Sequence, residues 1–554
     1  MQATDIQKLK ELAMARFAVI QERKRAAASE AAQPEAQASE AALKQDRLLH
    51  NLAAGVVLNA EQQRAVSLIA SGASCCIIGA AGTGKTTTTH AAVTELLASH
   101  RVPLLRTPTK FLPQGAPGIA GIAFTRRASA NLRAQMPEQL RSNVMTLHAL
   151  IEFEPVEYEM IDADGNFRMS MRFEPQRHAG NPLPEDLRVI IVDESSMLSV
   201  DLFKLLLDAL HHEVQFVFIG DIQQLAPVFG EAILGFRLLE LPVVELTQVY
   251  RQALESPIIR LAHRVLSGKQ ITAPELSSEW QSPGQLVVAR WPAKTSPERA
   301  ENIAIQFLEK QLQDGKYNPE EDMVLIPFNK HFGTLRMGKR IAELVDRNSS
   351  PPRSVTEIVA GFNRHYLAVG DRLLYDNDEV LLKKVEVNPG YRGKLPSRPF
   401  SFSRFGTILG LAESESDESW LEQEIDALAN AATEGATDDA THILTLDYGE
   451  GRTTTIKSRG AINKLSFAYC TTVHKAQGLQ APRVFLLLHK QHDIMICREL
   501  LYTAITRAQH SLTILCDNAT FMGGVIKQQI KGKTLAEKAE YFKGKQATYQ
   551  EKLT

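Results

Sequence analysis

Short apolar runs that stop abruptly at small or charged residues recur along the chain, and helical patterns follow several of them. Cys75 to Ile78 is one such run, halted at Gly79, and apolar residues at helical spacing resume from Ala91 through Leu97. Val189 to Val192 is another, delivering Asp193 and Glu194 at its end, and QFVFIGDIQQLAPV (215–228) repeats the arrangement. IAGIAFTRRASANLRAQM (119–136) and NVMTLHALIEF (143–153) are β-rich runs that close in polar clusters. Together they predict buried strands of an open α/β sheet, in which ligands bind at the strand ends.

Two stretches break this rhythm. Alternation in VEYEMI and FRMSMRF, flanking Asp162-Ala163-Asp164-Gly165-Asn166, predicts a β-hairpin with a tight turn inside 151–187. From about Val355 to Leu465, short strands such as LAVGDRLLYDND, HILTLDYGEGR and TTTIKS are separated by Gly and Asp turns. Residues 411–440, inside that second stretch, contain ten acidic residues and no Lys or Arg, the composition of an outer, solvated surface.

The two ends differ from the middle. Ile6, Leu9, Leu12, Ala13 and Phe17 fall at helical spacing, and an Ala/Glu/Gln-rich linker broken by Pro34 follows, so residues 1–50 read as a helical and flexible extension. The tail from Val525 carries seven lysines against three glutamates. It reads either as a basic helix against nucleic acid or, more plainly, as a solvated terminal helix.

A length of 554 residues predicts several domains, and 44% hydrophobic with 23% charged residues is ordinary globular composition. The formal net charge of -2 advertises no global attraction to nucleic acid, although a local basic groove would suffice for a strand-binding protein. No apolar run approaches the ~20 residues of a membrane span. The charged N-terminal stretch lacks a signal peptide's apolar segment. The expectation is a soluble, cytoplasmic protein of a bacterial or phage-infected cell. Cys75, Cys76, Cys470, Cys497 and Cys516 show no metal-ligand spacing, which predicts reduced, structural thiols and no zinc.

The chemistry centres on Gly79-Ala80-Ala81-Gly82-Thr83-Gly84-Lys85-Thr86, followed by Thr87. Strand, G-x-x-x-x-G-K-T and helix in that order form a phosphate-binding loop. Its glycines let backbone N–H groups wrap phosphate oxygens, Lys85 reaches the β/γ-phosphates, and the Thr86 hydroxyl ligates Mg²⁺. Asp193 would hold the same Mg²⁺ through water, and Glu194 would orient and deprotonate an attacking water. Gln62, about twenty residues before the loop, has an amide that can read both groups on an adenine edge. Arg507, and Arg251 beside Tyr250, are suited to charge spreading over a transferring phosphoryl group. Thr125, Arg126 and Arg127, with Thr146 and His148, offer groups suited to a nucleic-acid backbone. An exposed helix start with an N-capping Thr explains each threonine equally well.

In order along the chain, GAAGTGKT, VDES, GDIQQLAPV, TVHKAQG and YTAITRA resemble the motifs of superfamily 1 helicases. Within them the series resembles the 5′-to-3′ branch (SF1B) of RecD-like and phage Dda-like enzymes, and it runs from Gln62 to Arg507. The resemblance implies ATP and Mg²⁺ bound between two RecA-like parallel-sheet motor domains, with single-stranded DNA across their top. One motor domain would span 51–250, and the other 251–354 and 466–524. A β-hairpin insertion at 151–187 would be the strand-separating pin, with Phe167 near its tip, and a small SH3-like β-barrel insertion would occupy 355–465. The basic tail would begin at 525. It further implies that Tyr250 stacks near adenine, that Gln224 couples the γ-phosphate to the DNA site, and that Arg251 and Arg507 are arginine fingers. Thr125, Arg126, Thr146, His148, His474 and Lys475 would line the DNA track. The Pro/Gly-rich stretch Leu104 to Gly121 and the first fifty residues have no counterpart in that pattern.

The expected activity is an ATP-dependent DNA helicase, monomeric, moving 5′-to-3′ on single strands and acting at single-strand/duplex junctions. Single-strand-binding, replication or recombination proteins are its expected partners, and no membrane is involved. A translocase or remodeller with little unwinding, or an RNA helicase, is the alternative within enzymes. A nucleotide-controlled binding switch is the alternative of another class.

Overall fold

The computed structural model describes residues 57–99, 101–227, 230–249, 255–269, 286–292, 294–330, 332–351, 353–361, 363–375, 378–391, 439–448, 453–532 and 534–553, apart from 162–166. The predicted N-terminal helix, most of the acidic stretch, Tyr250 and Arg251 lie outside them.

Eight strands occupy the first half: β1 (Cys75–Gly79), β2 (Ile119–Ala123), β3 (Val144–Thr146), β4 (Phe153–Ile161), β5 (Phe167–Pro175), β6 (Val189–Val192), β7 (Gln215–Gly220) and β8 (Val243–Leu246). Six of them form one sheet in the order β3-β2-β6-β7-β1-β8, every pairing parallel. The apolar runs are continuous because both faces are covered. Cys76, Ile78, Ile122, Ile190 and Val192 enter one core, and Cys75, Ile77, Val189, Ile191 and Val217 enter the other. Period-two alternation therefore sends the adjacent Cys75 and Cys76 to opposite faces. All five cysteines are free and buried.

The second half begins with β9 (Leu286–Arg290) and β10 (Met323–Ile326), then breaks for a β-rich unit. That unit comprises β11 (Val355–Ala360), β12 (Asn363–Ala368), β13 (Arg372–Tyr375), β14 (Asp378–Val387), β15 (Asp439–Asp447), β16 (Thr453–Ser458) and β17 (Ser466–Phe467). β11 and β12 form an antiparallel pair, the other five an antiparallel sheet, and Ile358, Leu373, Leu382, Leu444 and Leu446 make a separate core. β18 (Thr471–Thr472), β19 (Ala481–Leu487) and β20 (Ala508–Cys516) return to a second parallel sheet, ordered β18-β10-β19-β20-β9. Because β17 pairs with β13, the inserted unit runs to residue 467, slightly past the expected boundary at 465.

Two stretches differ from the sequence reading. The 104–121 segment folds back on itself, with the Leu105 and Ala116 backbones bonded at 2.8 Å and Leu105 and Leu112 buried in the first half's core. It also braces the base of β4: Lys110 N–H donates to Glu152 Oε1 at 2.9 Å, and its ammonium meets Glu154 at 2.7 Å. The expectation of a solvated tail is corrected. Helices Leu535–Lys543 and Gln546–Leu553 pack on the first half, where the Tyr549 ring stacks on Phe236 at 4.1 Å and Phe542 meets it edge-on at 5.4 Å. The lysine count hid this, because Phe542 and Tyr549 carry the buried face and two of the lysines, Lys538 and Lys545, bond to the first half themselves.

Candidate nucleotide site and strand track

β1 ends in the phosphate loop, and the helix Lys85–Ala98 leaves it. Gly84 is the N-cap of that helix at φ 81°, a left-handed conformation that favours glycine. Lys85 Nζ donates to the carbonyls of Gly79 at 2.6 Å and Ala80 at 3.3 Å, two neutral acceptors. Thr86 stands exposed at the first helical turn.

β6 delivers the acidic pair. Burial and the neighbouring Glu194 charge push the Asp193 carboxyl up to about 7, while Lys85 and the Glu194 N–H oppose that rise. Glu194 adopts φ 49°, unusual for a residue with a side chain, and its Oε2 is buried without a hydrogen-bond partner. Gln224 Oε1, beyond the end of β7, is likewise buried and unpartnered. Orphaned polar atoms of this kind are expected where a further polar group is meant to bind.

The second half reaches this site with the helix Arg498–Ile505. Its Tyr502 hydroxyl accepts the Ala81 N–H at 2.7 Å and donates to Asp221 Oδ2 at 2.6 Å. Burial and the Asp221 charge push the phenol well above its ordinary value, so it keeps that proton. Thr503 Oγ1 accepts the Leu225 N–H at 3.1 Å, and Gln477 Nε2 donates to the Leu225 carbonyl at 2.7 Å. The Leu225 side chain lies in the second half's core, so this loop of the first half is gripped by the other. Arg507 is buried, its guanidinium donating to the Thr503 and Leu479 carbonyls and to Thr506 Oγ1 at 2.9–3.1 Å. All three acceptors are neutral.

Gln62 is fully buried before the loop. Its Oε1 accepts the Asn59 N–H at 3.1 Å in a capping box, and its Nε2 reaches the Gly84 carbonyl at 3.5 Å. Both ends of the amide therefore serve the helix and the loop.

Along the expected track, the threonines are caps. Thr125 accepts the Ala128 N–H and Thr146 the Ala149 N–H, each at 3.1 Å. Arg126 pairs with Asp378 of the inserted unit at 2.6 Å and lies 5.5 Å from the Tyr448 ring. His148 lies edge-on to Phe153 at 5.0 Å, and burial lowers its pKa as it does that of His474. Lys475 is exposed. Gly478 closes the gap between the halves: a Cβ there would stand 2.8 Å from Ala128 Cβ. β4 and β5 pair antiparallel from Phe153↔Pro175 to Ile161↔Phe167, and the hairpin tip with the Phe167 side chain lies outside the described residues.

Sequence reasoning missed Tyr502, Thr503, Leu225 and Asp221 as site residues. All four lie inside the motifs that drew attention to Arg507 and Gln224, so the motifs were the available signal.

A phosphate loop at a parallel sheet's strand ends, walled by an arginine-bearing helix from a second parallel sheet, defines a two-lobed P-loop nucleotide hydrolase. Residues 62–230 match the AAA domain family, and residues 467–515 match the UvrD-like helicase C-terminal domain. The chain is 25% identical over 508 residues to the RecBCD enzyme subunit RecD of Mycobacterium tuberculosis, covering 86% of this chain and 72% of that one. It is 28% identical over 335 residues to the ATP-dependent RecD2 DNA helicase of Deinococcus radiodurans, covering 59% of this chain and 36% of that one. Among solved structures, Bacteroides Pif1 bound to ssDNA aligns at TM-score 0.42 and 15% identity, over 89% of this chain and 98% of that one. With the motif order, these sequence matches make the chain similar to the RecD-like DNA helicases. Among the described residues, no helix is long and apolar enough to cross a membrane.

Proposed function

We propose that the chain is a DNA-dependent ATPase that moves 5′-to-3′ along single-stranded DNA as a monomer and unwinds duplex at single-strand junctions. The observation that carries this reading is the cleft, where the phosphate loop, Asp221 and Leu225 of one half are bonded to Tyr502, Thr503 and Gln477 of the other. A site divided between two bodies converts hydrolysis into their relative motion. Lys85 binds the β/γ-phosphate oxygens, Glu194 takes the proton of the attacking water, and Gln224 senses the γ-phosphate. Arg507 and Arg251 stabilise the transferring phosphoryl group. The Thr86 hydroxyl and the Asp193 carboxylate are hard oxygen donors of the kind Mg²⁺ takes. When bound, Mg²⁺ neutralises charge on the β/γ-oxygens.

Single-stranded DNA passes Arg126, His148, His474 and Lys475, with Thr125 and Thr146 holding the helix starts whose N–H groups face phosphate. The 153–175 hairpin is the pin, with Phe167 near its tip, and the inserted β unit is SH3-like and guards the track. Partners from replication, recombination or repair fit such a motor.

The test combines ATP turnover with and without single-stranded DNA, and unwinding of duplexes bearing a 5′ or a 3′ tail in DNA and RNA versions. Stimulated turnover with unwinding from 5′ DNA tails is expected. Unwinding from 3′ tails would overturn the polarity, and stimulated turnover without unwinding would make the chain a translocase. Turnover indifferent to nucleic acid would overturn the motor.

A further inference from the structure

We infer that Tyr502 is a positioning residue that fixes the shape of the phosphate loop only while the two halves are closed on each other. This rests on the proposed ATPase reading of the same cleft. The phenol is fully buried and joins three elements: its own helix, the loop through the Ala81 N–H at 2.7 Å, and the strand end through Asp221 Oδ2 at 2.6 Å. A hydroxyl is required there. It accepts from the amide with a lone pair while donating its proton to the carboxylate, which a phenyl ring cannot do.

The surroundings give the link direction. Ala81 directly precedes Gly82, which sits at φ 83°, so the amide that Tyr502 holds lies beside a left-handed turn of the loop. Asp221 Oδ1 accepts the Gln223 N–H at 2.9 Å, and the same loop then presents Gln224. Thr503 holds Leu225, and its carbonyl receives Arg507 Nε. One helix end therefore sets the loop, the Gln224 strand end and the arginine together. Opening the halves takes the acceptor away from Ala81 and the donor away from Asp221 in one movement. Loop order is thereby coupled to domain closure.

Tyr502→Phe in the full chain removes the hydroxyl and keeps the ring in its packed site. Hydrogen exchange of the peptide spanning 79–86 is expected to accelerate several-fold. DNA-stimulated kcat is expected to fall about tenfold, the loss that one charge-assisted hydrogen bond supports, with a smaller rise in KM for ATP. Asp221→Asn, which keeps an acceptor for the phenol, is expected to retain slow loop exchange. A purely structural role would lower the melting temperature while leaving loop exchange and kcat per titrated active site unchanged, and that outcome overturns the inference. If the wild-type chain shows no DNA-stimulated turnover, the motor reading falls, and the exchange measurement alone decides Tyr502.

Discussion

Lys85 and Arg507 share a trait that matters for catalysis: the hydrogen bonds that hold each go to neutral oxygens and do not neutralise its charge. Lys85→Ala should abolish ATP turnover and unwinding while single-strand binding persists, since the proposed track lies apart from the loop. Filter binding beside a turnover assay checks both halves of that statement. Arginine fingers contribute about 10³–10⁵ in rate to phosphoryl transfer, so Arg507→Ala should lose turnover on that scale. Near-normal DNA-stimulated turnover in that variant would remove Arg507 from the chemistry. Histidines carry a different signal. Burial lowers His492 to about 4, and its Nε2 meets the Phe332 carbonyl at 2.6 Å; His148, His365, His442 and His474 are lowered in the same way. The fold therefore favours the neutral rings. Their contribution is complete above the unfolded value of ~6.5 and is lost as pH falls towards the folded values. Between pH 7.5 and 5.5 these rings lower the melting temperature against an opposing gain from Asp193, whose raised pKa stabilises the fold as pH falls through about 7. The melting temperature of His492→Gln should therefore fall less, or rise more, than that of the wild type across the window.

At the scale of elements, the loop after β7 is the clearest mechanical feature. Leu225 sits in the opposite half's core with both its backbone groups bonded across the cleft. Leu225→Ala leaves those backbone bonds and removes the plug, at a cost of about 2–5 kcal/mol for a buried leucine. Stimulation of turnover by single-stranded DNA should weaken more than basal turnover, and equal losses would show that the plug only stabilises. The strands themselves were legible in the sequence, because β1, β6 and β7 are apolar runs covered on both faces. The phosphate loop and the Asp193-Glu194 pair were legible because their chemistry dictates residue spacing. The grip on Leu225 was not, since it joins positions 225, 477 and 503, which nothing local relates. Nor was the 104–121 brace, since the Pro and Gly residues around Leu105 and Leu112 break any regular period. Thr125 and Thr146 stayed ambiguous because a capping hydroxyl and a phosphate-binding one occupy the same position at a helix start.

For the whole molecule, the C-terminal segment acts as a strap across the cleft. Glu499 of the second half is buried and accepts the Gln529 N–H at 3.0 Å and the Ile530 N–H at 3.4 Å. Lys538, also buried, donates to the Ile222 carbonyl at 3.2 Å and lies 4.0 Å from Glu499. Ile530, Phe542 and Tyr549 then enter the first half's core. Truncation after Lys527 would leave the Glu499 carboxylate buried without these donors and expose the Phe236 ring face. Unpaired buried charge and lost aromatic burial each cost several kcal/mol. The truncated chain should therefore melt at a lower temperature and tend to aggregate. Gly235→Ala supplies a gentler version, because a Cβ at that position would occupy the space of the Phe542 ring. It should lower the melting temperature and increase protease cutting within 534–553, with the phosphate loop untouched. A variant whose tail stays protected and whose melting is unchanged would show that the strap does not depend on Phe542.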